Sequence, residues 1–197
     1  MKMSFAMYML IPIAIAVQAF TMMVLAPYVP LNGVVSGSIS VSAGLLTWIS
    51  FQAWAMYFLA GCTPKMGVKT LLGYGGGIIA SIAIFELGGL LSGLNTETTA
   101  WGLYLAVLIV VVPVIAMEKV PWFDFVPAYF VGAGVFFGIM THVLPPEGVE
   151  LSRFSWYGIV ATAEMVACAV GLVYGAITVY GRGWYEGKFG EQIEEEA

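Results

Sequence analysis

Between Lys2 and Lys65 the chain carries no charged side chain at all. A soluble domain has about a quarter of its residues charged and spreads them along the sequence, so it cannot contain such a run. A bilayer requires one, because a spanning helix needs about 20 consecutive apolar residues. Pro27, Pro30, Asn32 and Gly33 interrupt the run, which therefore predicts two helices, at roughly 3–27 and 38–61.

The same reading carries on to the C-terminus. A third helix is expected at roughly 68–93 and a fourth at roughly 98–117, bracketed by Glu97 and Glu118. The fifth, at roughly 121–143, opens at Pro121 and stops before Pro145 and Pro146; the sixth covers roughly 154–181. Composition supports this count: 60% of the 197 residues are apolar by type and 10% charged, enough for about six spans with short loops and no soluble catalytic domain. The predicted fold class is an all-α polytopic membrane protein with a six-helix transmembrane domain over 1–181. A short acidic cytoplasmic tail, 182–197, ends in Glu194, Glu195 and Glu196. The first segment reads as a retained helix, since its apolar run exceeds the roughly 7–15 residues of a signal-peptide core and holds Pro12.

Basic residues orient the helices, because Lys and Arg accumulate on the cytoplasmic side. With the N-terminus inside, Lys2, Lys65, Lys69, Lys119, Arg182 and Lys188 are cytoplasmic and Arg153 is outside, so both termini are inside. Trp101, Trp122, Trp156 and Trp184 fall at predicted helix ends, the interfacial level that suits an amphipathic ring. The net charge of -5 argues against nucleic acid as a partner. Cys62, Cys168 and the single His142 make neither a disulfide framework, a metal cluster nor paired haem ligands, and no nucleophile–base pair or phosphate loop appears. No enzyme activity, cofactor or metal is expected.

A carboxylate at bilayer depth costs on the order of 2.5–3.5 kcal/mol on insertion scales, so Glu86 and Glu164 each need a reason. Both share helical faces with small residues: Glu164 with Ala161, Ala167, Cys168, Gly171 and Gly175, and Glu86 with Gly75, Ala83, Gly89 and Gly93. Both are expected to point into the bundle in its outer half, with His142 at a similar depth. They form either a proton-titratable polar site or a pair of structural carboxyls, protonated and hydrogen-bonded to neighbouring groups. Asp124, following Pro121, is expected to offset a helix dipole, and Gln18 and Gln52 to bridge helices.

The second helix carries Trp48, Phe51, Trp54, Tyr57 and Phe58; the fifth carries Phe123, Phe125, Tyr129, Phe130, Phe136 and Phe137. Laying Phe51 and Phe58 on Phe123 and Phe130 also matches Tyr57 to Tyr129 and Gln52 to Asp124, a hint that helices one to three repeat as four to six. With three spans per unit the repeats are inverted, as in many transporters. Such aromatic helices either line an apolar constriction, with Trp48, Phe51, Trp54, Phe58, Phe123 and Phe130 facing a neutral solute, or simply pack. GxxxG spacings at Gly33/Gly37, Gly73/Gly77, Gly89/Gly93, Gly134/Gly138 and Gly171/Gly175 predict close crossings and a homo-oligomer.

Thr47-Trp48-Ile49-Ser50-Phe51 with Tyr57-Phe58 and Lys69, and Phe125-Val126-Pro127 with Phe130, Gly132-Ala133 and Phe137, resemble the YcdZ-like bacterial inner-membrane proteins, a family of unknown function. The similarity runs from about Ser36 to Gly181. It implies a small multi-pass protein of a cell inner membrane, and it transfers no role to Glu86 or Glu164. The functional expectation is a channel or facilitator for a small neutral or weakly ionised solute of the urea, amide, ammonia or weak-acid class. The alternatives are a proton-coupled secondary transporter using Glu86 and Glu164, and a non-transporting accessory subunit. The expected partners are the lipid bilayer, the solute and further copies of the chain.

Overall fold

A single corner, residues 60–63, shows how the sequence turns the chain between helices. Gly61 has φ +94, the left-handed geometry in which glycine ends helices without a Cβ clash. Its N–H donates to the Phe58 carbonyl and that of Cys62 to the Tyr57 carbonyl, the paired bonds of a Schellman motif. The Tyr57 hydroxyl adds a bond to the Cys62 carbonyl at 3.3 Å. Thr63 Oγ1 then accepts from the Met66 N–H, and Pro64 sits in the first turn of the next helix, where its missing N–H leaves nothing unpaired. That helix begins at Pro64, a turn earlier than the sequence reading placed it.

The computed structural model describes residues 5–28, 43–143 and 150–189. Asn32, the Gly33/Gly37 spacing, Pro145, Pro146 and Glu194 to Glu196 lie outside the described residues. Six α-helices occur among the described residues: α1 (Phe5–Leu25), α2 (Ala43–Leu59), α3 (Pro64–Leu90), α4 (Trp101–Ala116), α5 (Val126–His142) and α6 (Arg153–Phe189). Short 3-10 turns extend α1 and α4, and no strand is present among the described residues. Phe5–Leu25, Pro64–Leu90, Trp101–Lys119 and Arg153–Phe189 are long and apolar enough to cross a membrane. The helices α2 and α5, at 17 residues each, are at the short end of spanning length.

Two boundaries correct the expectation. Pro127, not Pro121, takes the first-turn position of α5, because Trp122 has φ +73, outside the helical region. At the other end α6 passes 181 and runs to Phe189. Arg182 donates to Glu186 at 2.8 Å one turn on, and Tyr185 packs on Phe189 with ring centroids 5.1 Å apart, both side-chain pairs that support a helix. The first half of the expected tail is therefore helical.

The helices α2, α3, α5 and α6 form the centre; α4 lies along α3, and α1 sits at the edge against α2 and α6. The centre is built on glycine. A Cβ at Gly171 would collide with the Ser50 carbonyl oxygen, and one at Gly175 would lie 2.7 Å from Tyr57 Cβ. The residue numbers rise together on both helices, so α2 and α6 run parallel. A second parallel crossing repeats this on α3 and α5: Gly73 faces Ala128, Gly77 faces Ala133, and Gly132 has no room against the Tyr74 backbone. Gly102 closes the α3–α4 crossing against the Leu91 carbonyl. Of the other predicted GxxxG pairs, Gly134 and Gly138 have open space, as does Gly93, while Gly89 faces only the Arg153 guanidinium.

Gly171→Ala is accordingly expected to cost on the order of 1–3 kcal/mol through overpacking, and Gly138→Ala to be close to neutral. Unfolding of both variants in detergent checks this; equal midpoints would show that the α2–α6 crossing yields freely.

Candidate functional site

Along α6 the buried positions Val160, Ala163, Glu164, Ala167, Cys168 and Gly171 recur at helical spacing, a stripe turned to the bundle centre. Glu164 is 0% exposed, and neither of its carboxyl oxygens has a hydrogen-bond partner among the described residues. The buried hydroxyls of the central helices are engaged elsewhere. That of Ser50 is shared between the Leu46 and Ala167 carbonyls at 2.9 Å each, Ser81 donates to the Ala133 carbonyl at 3.3 Å, and Thr70 to the Met66 carbonyl at 2.8 Å. Tyr74 of α3 lies within electrostatic reach of Glu164 and is fully buried, with its own hydroxyl unpartnered. Cys168, one turn along α6, packs in the same cluster as Tyr74, Ala53 and Ala128. The site thus combines an unsatisfied carboxyl, a free phenol and a thiol where the two parallel helix pairs meet. An unpaired buried polar group costs about 1–3 kcal/mol, and no described residue supplies the hydrogen bond expected of a structural carboxyl here.

Glu86 corrects the expectation. It is not in the interior: its side chain is 33% exposed and ion-paired to Arg153 at the start of α6, and it also accepts from the Tyr157 hydroxyl at 3.0 Å. Because α3 ends at Leu90, Glu86 is in its last turn and reaches the basic residue there. Phe85 stacks on Phe137 at 4.2 Å and on Tyr157 at 6.2 Å, an aromatic layer between this ion pair and the centre. His142 is exposed; its Nδ1 lies 3.1 Å from the Gly138 carbonyl and 2.7 Å from the Thr141 hydroxyl of its own helix, and it meets neither glutamate.

Nor do the aromatic side chains converge on a shared lumen. Trp48, Phe58, Phe123 and Phe130 are exposed and Phe51 is half-buried, while Trp54 is buried against Tyr174 at 5.8 Å. On α2 and α5, Trp54, Tyr57, Tyr129 and Phe136 are buried in the packing between helices, while Trp48, Phe58 and Phe130 face outward. Trp48, Gln52, Phe130 and Gly134 instead flank a groove of about 440 Å³ on the outer surface. Gln18 does bridge helices, accepting from the Thr178 hydroxyl at 2.6 Å.

Sequence reasoning missed two features. Tyr74 carries no distinguishing signal in the sequence, and only three-dimensional packing brings it within electrostatic reach of Glu164. Asp124 is not in the first turn of α5; it accepts from Lys69 of α3 at 2.6 Å. That bond, more than any other influence, holds the Asp124 carboxyl below the usual carboxylate range.

Against known families, a family model described as a protein of unknown function (DUF1097) matches residues 28–187. No curated protein and no solved structure matches the chain.

A carboxyl depressed in the folded state adds stability that is complete above the ordinary carboxylate pKa and is lost as pH falls through the lowered value. Asp124→Asn is expected to lower the unfolding midpoint at pH 7 and to flatten its decline below about pH 4. Superimposable acid limbs for the two proteins would sink the role given to the Lys69–Asp124 pair.

Proposed function

The chain belongs to the DUF1097 family, and from that premise we propose that it is a proton-coupled transporter of a small solute in the cell inner membrane, with Glu164 as the group that takes up and releases the proton. The observation that carries this reading is the fully buried Glu164 carboxyl with both oxygens unpartnered. Ionised there, it is an uncompensated charge, and protonated it is neutral, so its protonation state bears directly on how tightly the surrounding helices can close. Intramembrane ionisable groups of this kind mark transport pathways and proton relays. Glu86 takes no part in the coupling and serves to latch α3 to α6 through Arg153.

The proposed architecture is six spans with both termini cytoplasmic and a 3+3 inverted repeat. It is supported by an exchange relation in the packing. Pairing α1 with α4, α2 with α5 and α3 with α6 maps the α2–α6 crossing onto the α5–α3 crossing, and Gly171/Gly175 onto Gly73/Gly77. The peripheral helices α1 and α4 take corresponding places but pack unequally, α4 closely along α3 and α1 only lightly on α6. In this register Ala53 matches Ala128, about one turn away from the aromatic match of Phe51 with Phe123. Two such pairs, meeting at Glu164 and Tyr74, have the form of an alternating-access device. Arg153 at one end and Lys65, Lys69 and Lys119 at the other support the orientation.

The channel reading keeps one specific observation in its favour, the outer groove between α2 and α5 with Trp48, Gln52 and Phe130. A second copy of the chain closing over that groove encloses an aromatic passage.

Proteoliposomes loaded with a pH dye and given urea, acetamide, methylammonium or acetate separate these readings. Proton-coupled transport predicts a solute-dependent proton flux that collapses with a protonophore and falls at least about tenfold in Glu164→Gln, as loss of a transfer group implies. Solute flux that survives both treatments replaces the transporter with the channel, and no flux with any of the four favours an accessory subunit.

A further inference from the structure

At the end of the bundle where α3 begins and α4 gives way to α5, a cup of about 300 Å³ is lined by Lys65, Lys69, Glu118, Lys119, Trp122 and Asp124. The transport reading makes no use of it. Its lysines are not equivalent. Lys69 is largely buried and committed to Asp124, so it forms a fixed wall. Lys119 lies 3.1 Å from its chain neighbour Glu118 but is 84% exposed, a pairing that water largely screens. Lys65 forms no ion pair among the described residues, and its ammonium stands 5.8 Å from the centre of the Trp122 ring. Two cations thus face the cup without a committed carboxylate partner.

The turn that forms the rim is strained. Trp122 has φ +73, a conformation bulky side chains rarely adopt and one that clusters at binding sites. It is held between the Phe123 N–H bond to the Val120 carbonyl at 3.0 Å and the anchored Asp124. The same turn exposes Val120, Trp122 and Phe123, an apolar flank level with the ends of two long apolar helices, α3 and the α4 stretch Trp101–Lys119. A soluble anion has no use for that flank, whereas a molecule with an anionic head and an apolar body fits both parts.

We propose that this cup binds the phosphate of an anionic phospholipid, with Lys65 and Lys119 as its donors, the Lys69–Asp124 pair as its rigid wall and Trp122 against the glycerol and upper acyl region. Basic pockets between membrane helices take lipid head groups in this way, and a Trp ring prefers that interfacial level. The site holds whether or not Glu164 carries protons.

Native mass spectrometry of the full chain in detergent tests it with phosphatidylglycerol, phosphatidylcholine and inorganic phosphate as probes. Phosphatidylglycerol is expected to be retained in preference to phosphatidylcholine. The Lys65→Gln/Lys119→Gln variant should retain it about 30-fold less, at about fivefold per surface lysine. Arg182→Gln/Lys188→Gln, which removes the same charge from α6, should retain it as the wild type does. Lys65 and Lys119 are exposed, so the wild-type unfolding midpoint should persist in the first variant and shows that it is folded. Equal retention of the two lipids, undiminished retention in the cup variant, or an equal loss in the α6 variant overturns the proposal. Displacement of phosphatidylglycerol by equimolar inorganic phosphate does so too, since that marks a soluble-anion site.

Discussion

Lipid tails are as apolar as the side chains they touch, so nothing drives helices together in a bilayer as the hydrophobic effect does in water. What remains is close contact, and here it is backbone against side chain and backbone against backbone: Gly171 on the Ser50 carbonyl, Gly77 on Tyr129 and Ala133, Gly132 on Tyr74. These approaches fix two parallel helix pairs, and the pairs decide everything else about the centre. They set glycines against buried tyrosines such as Tyr57 and Tyr74, leave Trp48, Phe58 and Phe130 outside, and enclose Glu164 among the central helices. The shared Ser50 hydroxyl bond to Ala167 is secondary to this, because it is short enough to form only once Gly171 allows the approach.

Charge follows the opposite logic at the ends and in the middle. Near the bundle ends, acids find cations across helices: Glu86 with Arg153, and Asp124 with Lys69. Each of these joins elements far apart in sequence where water can still reach at least one partner, so the pairs orient helices more than they stabilise them. In the middle Glu164 has no ion-pair or hydrogen-bond partner among the described residues, and the buried hydroxyls of Ser50, Ser81 and Thr70 are given to carbonyls. The contrast marks Glu164 as different in kind from every other acid described in the chain.

The helices themselves could be read from the sequence, because the lack of charge from Lys2 to Lys65 and the brackets at Glu97 and Glu118 are one-dimensional signals. So could the burial of Glu164, from the small residues on its face. Glu86 had a similar small-residue face and a different fate, since its depth depends on where α3 ends and on Arg153 arriving from a helix 67 residues later. The α5 boundary failed for a local reason: Pro121 and Pro127 are equally good helix starters, and the left-handed Trp122 that excludes the first leaves no trace in composition. Aromatic density on α2 and α5 suggested a lining. Which way a ring points is set by the helix face opposite it, here the glycine crossings, and density carries no information about that.

The two central crossings close at different distances along the chain. Ser81 and Ala133, on α3 and α5, are 52 residues apart, whereas Ser50 and Ala167, on α2 and α6, are separated by 117. At a synthesis rate of about 5–20 residues per second, roughly 6–23 s pass between the emergence of Ser50 and that of its partner. Throughout that interval α2 lacks the helix it packs on, while α3 and α5 can already dock. The α3–α5 crossing is thus available for docking before the α2–α6 crossing, which α6 completes. The carboxyl at the centre lies on α6, so a nascent chain carries no interior carboxyl until the helix that seals the bundle has been made.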